Sequence, residues 1–420
     1  MRRRNVFAAS AALAAAGVLA APAAASAHGP GKGRVRTGFD RLAADGYAEL
    51  AGQRVGIISN PTGVTSDLTH EVDVMAADGR VDLVAVFGPE HGFRGTSQAG
   101  EGEDYFIDPK TGLPVYNAYN DKGKMADFFA ELELDTIVFD IQDVGSRFYT
   151  YIWTMYLAME AAATLGIRFV VLDRPNPVTG IEAQGPILHP EFSSFVGLKA
   201  ISQRHGMTIG ELARLFNGEF LPETVGTSAD LTVVELGGWK RRMTFEETGL
   251  PWVAPSPNMP TTTTARLYPG TCLFEASALS EGRGTTQPFQ LIGAPGIDHR
   301  WEAALNESDL DGVRFREAYF KPVFSKWVNQ TCGGVEVQIT DIDSFDPIRT
   351  ALTMIITQRQ VFPEYGWRPG DTVPWIDKLT GSTAVREAIE AGADVDTVIA
   401  GWRGELAEFS RIRRDYLLYR

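Results

Sequence analysis

The sequence predicts an α/β protein built on a parallel sheet, and three observations carry that expectation. Four short apolar runs, Arg54–Ser59, Asp82–Phe87, Thr136–Asp140 and Arg168–Leu172, are nearly continuous rather than alternating, the pattern of strands covered on both faces. Stretches of helical length separate them, as strand–helix alternation requires. Each run also stops at a polar, turn-forming loop: Asn60-Pro61-Thr62-Gly63, Gly88-Pro89-Glu90-His91-Gly92, Gln142-Asp143-Val144-Gly145 and Asp173-Arg174-Pro175-Asn176-Pro177.

The elements follow in chain order. Arg2, Arg3 and Arg4 precede an apolar run from Val6 to Ala21, and Ala25-Ser26-Ala27 forms an A-x-A cleavage site ahead of His28. Residues 1–27 therefore read as an export signal, with an apolar part too short and too rich in alanine to span a bilayer. Arg3-Arg4-Asn5-Val6-Phe7 has the look of a twin-arginine signal, and the general secretory route is the other reading. The protein is expected outside the cytoplasm, at the wall, beyond it or in the periplasm, with no membrane span after cleavage. Tyr149–Leu165 is apolar over most of its surface and predicts a well-buried helix. Thr208-Ile209-Gly210-Glu211 is a capping box and starts another. The Pro- and Thr-rich stretch 251–264 suits a crossing between two domains, expected at 37–258 and 259–420. The tail from Ser382 reads as two helices, the second carrying Val395, Val398, Ile399, Trp402, Leu406 and Phe409 on one stripe.

Composition narrows the function. Of 420 residues, 39 are Lys or Arg and 53 Asp or Glu, a net charge of −14. Removing the leader leaves 36 basic residues against the 53 acidic ones, a net of −17. Such a surface argues against nucleic acid as a partner. Cys272 and Cys332 are too few for a disulfide scaffold, and their separation neither supports nor forbids a bridge in an oxidising compartment. The six histidines show no metal-ligand spacing. A dinucleotide-binding G-x-G-x-x-G, a P-loop, H-E-x-x-H and G-x-S-x-G are all missing. The pattern predicts a site without cofactor or metal, rich in carboxylates.

In an open parallel sheet the carboxyl ends of the strands share one edge, where ligands bind. Asn60, Glu90, His91, Arg94, Asp140, Gln142, Asp143, Arg147, Asp173, Arg174 and Asn176 are expected to converge there. Glu90 is the leading catalytic candidate: Pro89 stiffens its approach, glycines 88, 92 and 95 free the backbone around it, and a carboxyl on a stiff loop over an apolar strand suits general acid work. The competing reading pairs it with Arg94 or has it cap a helix. His91 is expected to orient Glu90, relay a proton or bond a backbone carbonyl. Asp140 and Asp143 flank one strand end and could serve as a second carboxylate, or else cap a helix and pair with Arg147. In Ser280-Glu281-Gly282-Arg283-Gly284, the glycines let Arg283 project and grip a carboxylate. Tyr149, Tyr151, Trp153, Trp252 and Trp301 are sugar-stacking candidates or core residues.

Longer segments carry a resemblance. Gly88-Pro-Glu-His-Gly-Phe-Arg-Gly95, Phe139-Asp-Ile-Gln-Asp-Val-Gly-Ser-Arg-Phe-Tyr-Thr-Tyr151, Asp173-Arg-Pro-Asn-Pro177, Pro255-Ser-Pro-Asn-Met-Pro260, Tyr268-Pro-Gly270 and Glu281-Gly-Arg-Gly-Thr-Thr286 resemble the NamZ-type exo-β-N-acetylmuramidases, from about Thr37 to Tyr419. The resemblance implies a Rossmann-like first domain, a smaller α/β second domain and an active cleft between them. It implies a glycoside hydrolase that releases β-1,4-linked N-acetylmuramic acid from non-reducing ends of peptidoglycan fragments, with Glu90 at the position of the family's proposed catalytic glutamate. For the group opposite Glu90, Asp143, Asp140 and the substrate's own acetamido group all remain open. Arg283 is the first choice to hold the muramyl carboxylate, ahead of Arg147 and Arg94, with Asn60, Gln142, Asp173 and Asn176 as further substrate contacts. Rival readings are an exported β-N-acetylglucosaminidase, a non-catalytic muropeptide or sugar binder, and an amidase or esterase using His91, for which no nucleophile elbow exists.

Overall fold

The computed structural model describes residues 34–119, 122–368 and 372–420; the leader expected at 1–27 lies outside the described residues. In chain order the strands are β1 (Arg54–Ser59), β2 (Asp82–Gly88), β3 (Phe106–Ile107), β4 (Pro114–Asn117), β5 (Thr136–Asp140), β6 (Arg168–Leu172), β7 (Gln184–Ile187), β8 (Ser202–Arg204), β9 (Asp230–Val234), β10 (Leu291–Ala294), β11 (Val313–Phe320) and β12 (Cys332–Ile339). The main sheet runs β3-β4-β2-β1-β5-β6-β9, parallel throughout except for edge strand β3. The chain builds outward from β1 to β2 and β4, then returns to β5 and continues to β6 and β9. That is the strand order of Rossmann-type sheets, and its direction switches between β1 and β5.

Period-two alternation explains why these runs become central strands. Ile58, Phe87, Ile137, Phe139 and Val171 face one core, where the helix Tyr151–Leu165 packs. Ile57, Val86, Val138, Val170 and Leu172 face the other, against the helices Gly38–Ala44 and Glu71–Asp78. Both faces are dry, so each run reads as unbroken hydrophobicity. A second sheet, β10-β12-β11, is antiparallel and packs against the helix His299–Asn306, on which the helix Pro347–Val361 packs in turn. The division expected at 258/259 falls between the last strand of one sheet and the first of the other. The larger core runs on across it to Leu273, Trp301, Val335 and Leu352. There, Gly270 lets the helix Thr262–Thr271 approach the next: a Cβ on it would stand 1.8 Å from the Pro347 carbonyl oxygen.

The four expected strands appear, and Thr208 and Glu211 cap each other's backbone as the capping box requires. The buried helix begins at Tyr151 rather than Tyr149. The tail forms three helices instead of two: Ala384–Glu390, Val395–Ala400 and Arg403–Arg413. Gly401, a poor helix former, interrupts the expected stripe, and the non-helical backbone at Trp402 turns that ring into the core. Cys272 and Cys332 are both free thiols and both buried. Among the described residues no helix is long and apolar enough to cross a membrane.

The C-terminal segment closes the far end of the sheet's carboxyl edge. The Tyr419 hydroxyl donates to Asp173 at 2.5 Å, and the Leu418 N–H to Glu211 at 2.7 Å. Asp173 also accepts from the Thr208 hydroxyl and the Gly210 N–H. It is fully buried, which pushes its pKa up from 3.8 to about 7. The folded protein thus keeps a proton that the unfolded chain releases at lower pH, so stability falls as pH rises between those values. Asp173→Asn is expected to reduce that slope, read as a smaller difference between urea midpoints at pH 5 and pH 7.

Candidate active site

The loop after β2 doubles back on itself. His91 (φ +71°) and Gly92 (φ +81°) are successive left-handed residues, a conformation natural to glycine and costly for histidine. The loop is stitched internally by the His91 N–H on the Glu101 carbonyl (2.9 Å), the Ser97 N–H on the His91 carbonyl (3.2 Å) and the Phe93 N–H on the Glu103 carboxylate (2.9 Å). This frame presents Glu90 to a cavity of about 230 Å³.

The Glu90 carboxylate is gripped from both sides: the Gly100 N–H donates to Oε1 at 2.7 Å, and the Thr150 hydroxyl to Oε2 at 2.5 Å. His91 lines the cavity beside it. Its Nδ1 faces the Ser97 carbonyl at 3.1 Å; a carbonyl only accepts, so Nδ1 holds the hydrogen and Nε2 of the neutral ring is the lone-pair site. Tyr149 and Tyr151 form the floor, their rings edge to face. Burial pushes both phenols well above their ordinary range, and the Glu90 charge adds to it. They are neutral hydrogen-bonding groups at any working pH. The Tyr151 hydroxyl donates to the Pro255 carbonyl at 2.6 Å.

The opposite wall comes from the second half of the chain. Arg283 lies 4.9 Å from the Phe289 ring centroid, bonds Glu275 at 2.6 Å and approaches Glu281 at 3.3 Å. Burial works against its charge, but the two glutamates outweigh that and hold its pKa above the ordinary value. Ser256, Asn258, Tyr268 and Glu275 also line this wall, and Phe195 and Trp375 complete the enclosure.

The cavity thus brings together Glu90, His91 and Arg283 of the expected polar residues, with Tyr149 and Tyr151 of the stacking candidates. The other polar candidates stand outside its lining and hold the fold. Arg174 engages Asp140 through Nε and, at 3.0 Å, through Nη2. Beside them, burial and the Asp140 charge keep the Glu71 carboxyl far above its ordinary pKa. Arg94 pairs with Asp73 (2.9 Å) and Asp108 (2.8 Å), not with Glu90. Asp143 accepts from the Gly145 N–H and from His205 Nε2 at 3.1 Å. Asn60 binds Thr62, Gln142 spans the Asp143 and Pro175 carbonyls, and Asn176 holds the Met207 carbonyl. Asp173 is committed to the start of the helix Ile209–Leu215 and to Tyr419. Among the described residues Arg147 has no carboxylate partner; it grips the carbonyls of Pro186, Ile201 and Leu379 at 2.7–2.8 Å, and burial lowers its pKa to about 9. Among the described residues no group of three or more His, Cys, Asp or Glu side chains is placed to hold a metal ion.

Thr150, Ser256, Asn258 and Tyr268 lay within segments already singled out, without a role. Glu275 belonged to none, and no local pattern marks it.

The fold and cavity define a two-part, Rossmann-type α/β protein with a carboxylate-bearing site between its halves. The N-terminal and C-terminal models of the exo-β-N-acetylmuramidase NamZ match residues 55–263 and 266–419, and the chain belongs to this family of glycoside hydrolases. It is 48% identical over 390 residues, 92% of each chain, to the peptidoglycan β-N-acetylmuramidase NamZ of Bacillus subtilis (strain 168). Crystal structures of two DUF1343-family proteins from Bacteroides fragilis NCTC 9343 are also similar. One has a TM-score of 0.84 at 34% identity, covering 93% of this chain and 100% of that one. The other has a TM-score of 0.72 at 31% identity, covering 92% and 99%.

Arg147 separates a structural from a ligand-binding arginine. Arg147→Gln strands three buried carbonyls and is expected to lower unfolding free energy by about 3 kcal/mol or more, measured by urea denaturation.

Proposed function

We propose that this protein is an exported exo-acting hydrolase that removes β-1,4-linked N-acetylmuramic acid from the non-reducing ends of peptidoglycan fragments, with Glu90 as general acid and base. One observation carries the reading: Glu90 and Arg283, from opposite halves of the chain, line the same cavity. Glycoside cleavage needs a proton for the leaving oxygen, and Glu90 is held in a fixed orientation to give one. Muramic acid differs from N-acetylglucosamine by a lactyl ether bearing a carboxylate, which a guanidinium recognises. Nη1 of Arg283 makes no hydrogen bond among the described residues, leaving donors for that group. The cavity is smaller than the roughly 300–1,000 Å³ of typical ligand pockets, which suits one terminal sugar.

Neither Asp140 nor Asp143 lines the cavity, and its other carboxylate, Glu275, is bound to Arg283; we therefore assign the second role to the substrate's 2-acetamido group, whose carbonyl oxygen attacks the anomeric carbon as Glu90 protonates the departing oxygen, water then opening the oxazoline. Export rests on the leader at residues 1–27.

Glu90→Gln is expected to lower kcat on a chromogenic N-acetylmuramyl β-glycoside by about 10²–10⁴-fold while leaving the unfolding midpoint near wild type; retained turnover removes Glu90 from the role. Arg283→Ala is expected to reduce kcat/KM at least tenfold more on muramyl than on glucosaminyl glycosides. Equal losses on both would sink its assignment to the lactyl carboxylate.

A further inference from the structure

A second cavity of about 300 Å³ adjoins the first. The two share Thr150 and Phe195 in their linings. Thr150 is the residue whose hydroxyl grips Glu90 Oε2. Tyr119, on another wall of the second cavity, also senses that carboxylate: burial first, and then the Glu90 charge, push its phenol up to about 12. Glu90 lines the first cavity and is one hydrogen bond, through Thr150, from the second.

Their chemistry differs. The first carries Arg283 and Glu275; the second is faced by Tyr119, Trp153, Leu157, Phe195 and Leu198 and has no charged side chain in its lining. Phe195 projects between them from a tight turn closed by paired hydrogen bonds between Ser194 and Gly197, at 2.8 and 2.9 Å. Its ring is 46% exposed and leans on Trp375 with ring centroids 5.8 Å apart. The Ser194 hydroxyl, also in this lining, is buried and has no hydrogen-bond partner among the described residues.

We propose that the second cavity is the leaving-group subsite, where the sugar released behind the scissile bond seats an apolar face on Phe195 and offers a hydroxyl to Ser194. The inference rests on the muramidase reading, which places the anionic sugar in the cavity with Arg283 and so leaves the uncharged side for the neutral N-acetylglucosaminyl unit. A general acid has to reach the oxygen between two sugars, and Glu90 is the carboxylate held by Thr150, which lines both spaces. An apolar wall with the unpartnered Ser194 hydroxyl in it suits a pyranose, which has apolar faces and a polar rim.

The test compares two substrates. N-acetylmuramyl-β-1,4-N-acetylglucosamine fills both cavities, whereas N-acetylmuramyl β-fluoride has a one-atom leaving group that leaves the second empty. Leu198→Ala, outside the lining of the first cavity, removes part of the apolar wall, and Ser193→Trp, at an exposed position that also lines only the second, fills the cavity. Both variants are expected to lose about tenfold or more in kcat/KM on the disaccharide, mainly through KM, and to keep fluoride hydrolysis within about twofold of wild type. Equal losses on the two substrates, or no loss on either, would overturn the subsite. Absence of wild-type turnover on both would instead overturn the muramidase reading itself.

Discussion

A buried strand end leaves backbone donors and acceptors where water cannot reach them, and each has to find a partner inside the protein. That demand governs the carboxyl edge of this sheet. Asn60, Gln142, Asn176 and Asp173 spend their polar atoms on N–H and C=O groups of neighbouring loops. Arg147 does the same for three carbonyls drawn from distant parts of the chain. Asp140 and Arg174 neutralise each other in a setting where either alone would carry a large desolvation cost. The loop after β2 differs, because its own groups satisfy much of its backbone and the Glu90 carboxylate, held by Gly100 and Thr150, is presented to the cavity.

The same demand decides how much was legible in the sequence. Strands β1, β2, β5 and β6 could be bounded closely because both of their faces are dry, and an unbroken apolar run of strand length between turn residues fits little else. Polar residues after those strands were equally visible, but their types alone do not say whether a side chain faces a ligand or a carbonyl. Glu90 and Asp143 are both carboxylates on strand-end loops; one lines a cavity and the other is locked by Gly145 and His205. The break at Gly401 was hidden because the apolar stripe continues across it. Glu275 was hidden for a different reason. It meets Arg283 across a bend in the chain, and pairing through space has no signature in local order.

The site is assembled from both halves of the protein. One half supplies the proton-carrying group and an aromatic floor, and the other supplies the charged wall. Neither sheet alone encloses the space, so chemistry and recognition are coupled through the packing that joins them. The continuous core, running from Phe139 to Val335 and Leu352, fixes that distance without a flexible linker. The stretch expected as a crossing serves the site directly, since Pro255 anchors Tyr151 and Ser256 and Asn258 line the cavity.

Tyr419 reaches back to Asp173, 246 residues earlier in the chain, and the consequence concerns the order of folding. A chain emerging from its N-terminus can pair β1 with β2 and β5 early. It cannot give Asp173, just after β6, the Tyr419 donor until nearly its last residues are available. Every strand of the first sheet is made well before the tail, but the seal over Asp173 at its carboxyl edge awaits the tail's arrival. A fragment holding every strand of that sheet but lacking the tail would keep a buried acid with one donor missing, and proteases would have a prolonged opportunity to reach it.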